Sequence, residues 1–351
     1  MTDMTPEQIT KALEAGIISE AQAKTMRAKA GTAETDLAQI GNEDEMRFLR
    51  SFSDVFIAIG VGIFGFGLSV VASLMGGGLS FLLAAAVMWL MAEYFGRKRR
   101  AHLPTLMTAL AFLIFVQRGA SALLGDMGLG GDITAALITL GAMLLFYWRI
   151  RLPFCIALIA LAGLYLAGAI VGQIAPEFLK QQFGLGLLLS GLVIFTVALL
   201  YDMNDKHRTT RFADNAFWLH FLAAPLIIHG LALMLVNLQK EVLFGFVPMV
   251  SLNRGDAAII MVIVALITVV GLAINRRALI VSSLGYAAFA MGYLFDGTGM
   301  NFGTIVAVTF LLLGGAIIFL GAGWHTARNG LLKILPKLPI FPPPFDPNYK
   351  G

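Results

Sequence analysis

Apolar residues run in ten long blocks along the chain, and short polar or basic connectors separate them. Each block approaches or exceeds the roughly 20 residues that an α-helix needs to cross a bilayer. The pattern therefore predicts an all-α polytopic membrane bundle of about ten transmembrane helices. The blocks lie near residues 53–75, 79–95, 103–124, 133–148, 152–173, 183–201, 215–237, 256–274, 278–294 and 302–324.

A polar segment precedes the blocks and a proline-rich segment follows them. In the first 50 residues, Thr5 and Gln8 have the spacing of a capping box, and Gly16 separates this first helical pattern from a second. The sequence thus predicts a cytosolic helical hairpin and linker over 1–50, a membrane bundle over 51–325 and a proline-rich cytosolic tail over 326–351. The tail is interpreted either as a docking ligand for a partner or as a stiff extended segment along the lipid headgroups.

Composition supports a membrane protein and excludes several other classes. The chain is 58% hydrophobic and only 13% charged, with a mean hydropathy of +0.82. A soluble domain is about 45–50% apolar and about 25% charged, so a water-soluble or disordered chain is excluded. The net charge of +4 comes from bases in short connectors, so nucleic-acid binding is not expected. The single cysteine, Cys155, lies in an apolar block and is predicted to be buried.

Basic residues alternate between connectors and predict the orientation. If the amino terminus is inside, the connectors on that side carry eleven bases, whereas the opposite connectors carry only Lys180, Lys240 and Arg254. Bases accumulate on the cytoplasmic side of membrane proteins, so both termini are predicted to be cytoplasmic. The eleven bases are Arg97, Lys98, Arg99, Arg100, Arg149, Arg151, Lys206, Arg208, Arg211, Arg276 and Arg277.

Motifs of known chemistry do not stand out. Gly60, Gly62 and Gly65 spell GxGxxG, but they lie inside an apolar block, so we expect them to let helices pack closely instead. Gly314 and Gly315 are expected to pack the last span in the same way. The sequence therefore predicts neither an enzyme nor a catalytic residue, a metal site or a cofactor.

Polar residues inside the blocks are the candidates for function, because they are costly in a membrane. Arg118 lies about two-thirds of the way outward in the third block, with Asp126 and Asp132 as the nearest acids. It is interpreted either as a structural ion pair at the outer interface or as a contact for an anion or headgroup in a cavity.

The seventh block has the highest density of polar residues. His220 and His229 are nine residues apart and so face opposite sides of a straight helix, which rules out one shared metal unless Pro225 breaks the span. A proline-interrupted helix often lines a transport site, although both histidines can instead bond neighbouring backbone. The predicted ligand-binding residues are Arg118, His220, Pro225 and His229.

Two further polar groups are assigned to connectors. The polar run that contains Asp202, Asp205 and His207 is interpreted as a solvated connector on the inner side. Glu93, near the inner end of the second block, is expected to reach the headgroups or to pair with Arg97, four residues on.

Two stretches resemble known proteins. The segment AGIISEAQ at 15–22 is similar to the amino-terminal segment of DUF2157-type bacterial polytopic membrane proteins. The segment FWLHFLAAP at 217–225 resembles a stretch of related inner-membrane proteins. The resemblance implies a bacterial inner-membrane protein with a cytosolic helical hairpin, and it implies no catalytic residues or substrate.

Two functions are compatible with these features. The first is a transporter or permease that binds a small molecule between the third and seventh spans, although a shortage of buried acids argues against ion coupling. The alternative is a scaffold or sensor that binds a cytosolic protein partner through the hairpin and the tail. In both cases the lipid bilayer is the expected surrounding.

Overall fold

The computed structural model describes residues 12, 17–18, 22, 52–125, 129–205, 210–236, 239–243, 247–296, 298–336 and 341. The predicted hairpin and linker over 1–50 lie outside these residues except at four single positions. Most of the proline-rich tail also lies outside them.

Ten helices of the described residues are long and apolar enough to cross a membrane, so the predicted all-α membrane bundle is confirmed. In chain order they are α1 (Phe52–Met75), α2 (Gly77–Ala92), α3 (His102–Leu124), α4 (Leu129–Ile150), α5 (Cys155–Ile174), α6 (Phe183–Asn204), α7 (Arg211–Leu235), α8 (Arg254–Ala273), α9 (Arg277–Phe295) and α10 (Phe302–Leu332).

Smaller elements join these helices. A short helix, Pro176–Gln181, precedes α6, and proline fits its first position because that residue needs no N–H donor. Between α7 and α8, the antiparallel strands β1 (Gln239–Leu243) and β2 (Val247–Ser251) form a hairpin that the apolar blocks did not predict.

Successive helices run in opposite directions, so their connectors alternate between two ends of the bundle. We name the end with the α2–α3, α4–α5, α6–α7 and α8–α9 connectors the basic end, and the opposite one the strand end, after β1 and β2. At the basic end α2 continues as a π-helix, Glu93–Arg99, which terminates at Arg100 in the left-handed region with φ 53°.

Two helix pairs approach each other closely through glycines near the strand end. A Cβ placed on Gly119 of α3 would lie 2.9 Å from the carbonyl oxygen of Gly78 in α2. A Cβ on Gly230 of α7 would lie 2.8 Å from the carbonyl oxygen of Gly184 in α6. Leu82, four residues after Gly78, also lies against Gly119, and Leu188, four residues after Gly184, lies against Gly230. The pairs α2–α3 and α6–α7 therefore pack in the same register.

The matching glycine contacts belong to a larger repeated arrangement. Helices α2 to α5 form what we name the amino-terminal unit, and α6 to α9 form the carboxyl-terminal unit. Within each unit consecutive helices pack together, and the second and fourth helices also touch. Helix α1 packs on α3 as α5 packs on α7, while α10 lies against α8 and α9. Helices of equal rank run in the same direction, because they are four positions apart in a series of helices that alternate in direction.

Each unit has its own core, and a smaller apolar cluster joins the two. Met88 and Phe146 are fully buried in the amino-terminal unit, as are Ile228 and Leu279 in the carboxyl-terminal unit. At the seam, Ala160 and other α5 residues pack against a buried cluster on α6 and α7. That cluster consists of Ile194, Ala198, Leu219 and Ala223.

Of the glycines expected to let helices pack closely, Gly65 is buried, and a Cβ there would lie at ordinary contact distances of 3.7 Å from Ala111 and 3.9 Å from Met88. A Cβ on Gly60, Gly62, Gly314 or Gly315 would meet nothing within 4 Å in the described part of the chain. On α10 only Thr309, Trp324 and Arg328 are buried, and most of the helix faces outward. For Gly60, Gly62, Gly314 and Gly315 the expectation of close packing is therefore wrong, because they do not face a neighbouring helix.

Candidate functional site

The carboxyl-terminal unit holds a buried charged cluster at the basic end. The Asp202 carboxylate, in the last turn of α6, lies 2.9 Å from Nε2 of His220 on α7. It also accepts hydrogen bonds from Arg276, which caps the start of α9, through Nε at 3.1 Å and through Nη2. We name Asp202, His220 and Arg276 the buried triad.

The triad is withdrawn from water. Its side chains are 14% exposed for Asp202, 0% for His220 and 2% for Arg276. Removing an ion pair from water costs several kcal/mol per ion unless the partners satisfy each other. Here one carboxylate serves both the guanidinium and the imidazole, so the three groups depend on one another.

Neighbouring residues hold the α8–α9 connector that supplies Arg276. Asn275 lies in the left-handed region with φ 58°, and its side-chain oxygen accepts a 2.7 Å hydrogen bond from Nε1 of Trp324 on α10. The guanidinium of Arg277 lies 5.2 Å from the centre of the same indole ring. Arg328, one turn further along α10, is only 1% exposed. The three successive residues from Asn275 to Arg277 are thus held by contacts with α6 and α10.

This arrangement corrects the interpretation of the α6–α7 connector as solvated. Asp202 belongs to α6, not to the connector, and it is committed to the triad. Asp205 is buried, and its carboxylate accepts hydrogen bonds from Thr210 N at 2.9 Å and from Thr210 Oγ1 at 2.6 Å, which closes the connector. His207 lies outside the described residues.

Arg118 lies on α3 and is exposed at the bundle surface. Its guanidinium stands 5.8 Å from the ring centre of Phe81 on α2, a cation–π contact. Within the described residues it forms no ion pair, and Asp126, one of its proposed partners, lies outside them. The adjacent Gln117 donates to Ser121, which is bonded to the Tyr165 hydroxyl of α5 at 3.2 Å.

His229 and Pro225 lie together on the face of α7 that meets α9. The Nδ1 atom of His229 hydrogen bonds with the Tyr286 hydroxyl, and that hydroxyl also lies 3.5 Å from the Pro225 carbonyl oxygen. Helix α7 runs unbroken through Pro225, so the proline does not interrupt the span. As expected for a nine-residue separation, His220 and His229 have different partners.

The four predicted residues therefore do not form one group. Arg118 directly precedes Gly119, and His229 directly precedes Gly230, so they occupy equivalent positions in the two units. Helices α3 and α7, which carry them, belong to different units, and α5 lies against both. Only His220 belongs to the buried triad, while Pro225 and His229 form a separate contact with Tyr286.

The amino-terminal unit has an ion pair where the carboxyl-terminal unit has the triad. Glu93, at the end of α2, accepts from Nε of Arg149 at 2.5 Å and from Nη1 of Arg97 at 3.3 Å. The expected pairing with Arg97 is thus present. Glu93 and Arg149 remain 26% and 41% exposed, in contrast to the buried pair of Asp202 and Arg276.

Sequence reasoning missed Asp202 and Arg276 as site residues. Both lie at the edge of an apolar block, where charges are expected for topology alone, so neither stood out. One signal could have found them. An acid directly follows one apolar block and an arginine lies just before another, and both positions lie on the same predicted side of the membrane.

The triad offers a carboxylate, an imidazole and a guanidinium, which together can hold or move a proton or meet an anion. Among the described residues no group of three or more His, Cys, Asp or Glu side chains has the arrangement of a metal site. Comparisons with models of known protein families, with curated proteins and with solved structures gave no match. The resemblance to DUF2157-type proteins therefore stays a prediction.

Proposed function

We propose that this chain is a membrane transport protein whose charged site is the buried triad. The observation that carries the proposal is the burial of Asp202, His220 and Arg276 between membrane-length helices. Ionisable groups in such positions are expensive and commonly serve substrate, ion or proton pathways. The triad also supplies the buried acid whose absence argued against ion coupling.

The repeated architecture supports the same proposal. Several transporter folds consist of parallel repeats and bind their substrates where the repeats meet. Here the two units run in parallel and meet at the seam between α5 and the α6–α7 pair. Phe195 packs against the seam cluster and contacts the His220 ring at 5.2 Å between centres, so the triad adjoins the seam.

For the setting, we propose the inner membrane of a bacterium, with the basic end and both termini in the cytoplasm. The excess of bases in the connectors of the basic end supports this orientation. The bacterial assignment depends on the resemblance to DUF2157-type proteins. We propose no catalytic reaction and no cofactor for the site.

Site accessibility tests the proposal without knowledge of the substrate. Cys155 is the chain's single cysteine, so Cys155→Ala gives a background without thiols. A cysteine at the seam, Ala198→Cys, should react with a membrane-impermeant maleimide from either side of oriented vesicles. Control cysteines at Arg151 and Thr298 should react from opposite sides. A folded protein whose seam cysteine is unreactive from both sides, or reactive from one side only, would contradict transport.

A scaffold that binds a cytosolic protein is the second candidate. It depends on the hairpin and the tail, and in the tail Phe341 packs against the core of the carboxyl-terminal unit. The tail is thus held against the bundle at one point, which leaves the hairpin as the main candidate for partner binding. Deleting residues 1–40 should then abolish capture of a cytosolic partner, and an unchanged set of partners would count against the scaffold.

A further inference from the structure

Six exposed cations cluster at the basic end of the amino-terminal unit. They come from the π-helix that continues α2 and the residue after it, from the last turn of α4 and from the α4–α5 connector, and we name them the basic surface. It consists of Arg97, Lys98, Arg99, Arg100, Arg149 and Arg151. Among the described residues, Glu93 is the carboxylate that pairs with this surface, so most of its positive charge is not neutralised.

Glu93 fixes two of these cations side by side. One oxygen accepts from Nε of Arg149 at 2.5 Å, and the other accepts from Nη2 of Arg149 at 3.2 Å and from Nη1 of Arg97 at 3.3 Å. Each guanidinium keeps donors that the carboxylate does not use. Two arginines held in this way can grip the oxygens of a phosphate group.

The backbone favours glycine at two positions where the basic surface has arginine. Arg100 and Arg151 have φ of 53° and 57°, in the left-handed region where helices usually end on glycine or asparagine. The connector equivalent to that of Arg151 has the expected asparagine, Asn275, in the carboxyl-terminal unit. The backbone conformation of the two units therefore does not require arginine at these positions.

Exposed aromatic side chains flank the cations. Tyr94 is 52% exposed three residues before Arg97, and Trp148 is 66% exposed directly before Arg149. The Trp148 carbonyl also accepts a 3.3 Å hydrogen bond from Nε of Arg151. Tyrosine and tryptophan concentrate at the headgroup level of membranes, where their rings contact acyl chains and their polar atoms contact water. Cations beside such rings fit a phospholipid better than they fit a polar acidic peptide.

We propose that the basic surface is a binding site for the phosphate headgroup of an anionic phospholipid. Arg97 and Arg149 grip the phosphate, Glu93 positions both guanidiniums, and Trp148 contacts the first carbons of the acyl chains. Basic sites at helix ends bind anionic headgroups in this way. This site is independent of the buried triad and of transport.

Quenching of Trp148 by brominated lipids tests the proposal on the full-length protein in vesicles. Brominated phosphatidylglycerol in phosphatidylcholine is compared with brominated phosphatidylcholine in phosphatidylglycerol. The difference between the wild type and Trp148→Phe isolates the signal of Trp148. We expect a preference of about tenfold for the anionic lipid, because Glu93 already neutralises part of the two-arginine charge.

Matched double variants distinguish a specific lipid-binding site from general electrostatic attraction between the basic end and anionic lipids. The double variant Arg97→Gln with Arg149→Gln should abolish the preference for the anionic lipid. The control Arg211→Gln with Lys333→Gln removes as much charge from exposed positions near the other unit, and it should leave the preference intact. Equal quenching by the two lipids in the wild type, or equal loss in both double variants, would overturn the proposal.

Two further outcomes would also overturn it. The first is loss of the preference in the presence of millimolar inorganic phosphate, which would indicate a site for free phosphate. The second is a preference that emerges only after the acids at 43–45 are neutralised, which would indicate that the chain's own linker occupies the surface. A similar circular dichroism spectrum for all variants shows that they are folded.

Discussion

The two units have the same arrangement of helices but differ in how the charges at the basic end are placed. In the amino-terminal unit, Glu93 and Arg149 pair at the surface and leave neighbouring cations exposed. In the carboxyl-terminal unit, Asp202 and Arg276 pair in the interior with His220, which is fully buried. A base in a connector therefore does not by itself reveal its role. One set of arginines is open to solvent, whereas the other is committed to the protein interior.

The largest expected effect comes from removing the carboxylate of each ion pair. Asp202→Asn leaves the Arg276 guanidinium buried without its counter-charge, and we expect a loss of about 3–5 kcal/mol in the free energy of unfolding. Glu93→Gln in the amino-terminal unit should cost less than about 1 kcal/mol, because that pair is open to solvent. Denaturant unfolding in detergent measures both, and equal losses would contradict the contrast between the units.

The next largest effect tests the close helix packing at glycines that both units share. Gly230→Ala places a Cβ 2.5 Å from the backbone nitrogen of Leu188, and Gly119→Ala places one 2.9 Å from the Gly78 carbonyl oxygen. Each should cost about 1–3 kcal/mol, because a packed backbone must move. Gly60→Ala, which meets nothing within 4 Å, is the matched control and should be neutral or stabilise by up to about 1 kcal/mol, because alanine is favoured over glycine inside a helix. A neutral Gly230→Ala would argue against close approach of α6 and α7.

A third pair of variants compares the connectors. Asn275→Gly keeps the left-handed conformation but removes the acceptor of the buried Trp324 N–H, so we expect a loss of about 1–2 kcal/mol. Arg100→Gly should be neutral or should stabilise by up to about 1 kcal/mol, because glycine adopts positive φ without strain. Thermal unfolding distinguishes them, and a stabilising Asn275→Gly would show that the Trp324 contact contributes little.

The smallest effect concerns the equivalent residues Arg118 and His229. Arg118→Gln loses one exposed cation–π contact, and His229→Gln loses one exposed hydrogen bond, so each should cost less than about 1 kcal/mol. The two losses should add in the double variant, since the residues lie in different units without a shared partner. A non-additive double variant would reveal coupling between the units that the described contacts do not explain.

The sequence predicted the helices better than the site. Apolar blocks and basic connectors placed the ten spans near their observed positions, although α10 extends to Leu332, eight residues past the expected end. Of the four residues chosen for the site, only His220 lies in the buried triad. Polar residues in the middle of an apolar block suggest a function, because they are costly in a membrane. Asp202 and Arg276 lie at the edges of blocks, where charged residues are expected in any membrane protein. Close approach also occurs at Gly119 and Gly230, not at the GxGxxG that drew attention.

The number of membrane-length helices and the connectors that share an end can be read from the sequence, because hydrophobic length and charge placement are local properties of the chain. Which charges at that end are buried depends on the packing of the folded protein. Whether Arg276 faces solvent or Asp202 depends on how α6, α7 and the α8–α9 connector pack, and these segments are far apart in the chain. The same packing revealed that Arg118 and His229 are counterparts in two similar units, because equivalence depends on contacts between helices and not on the helices themselves.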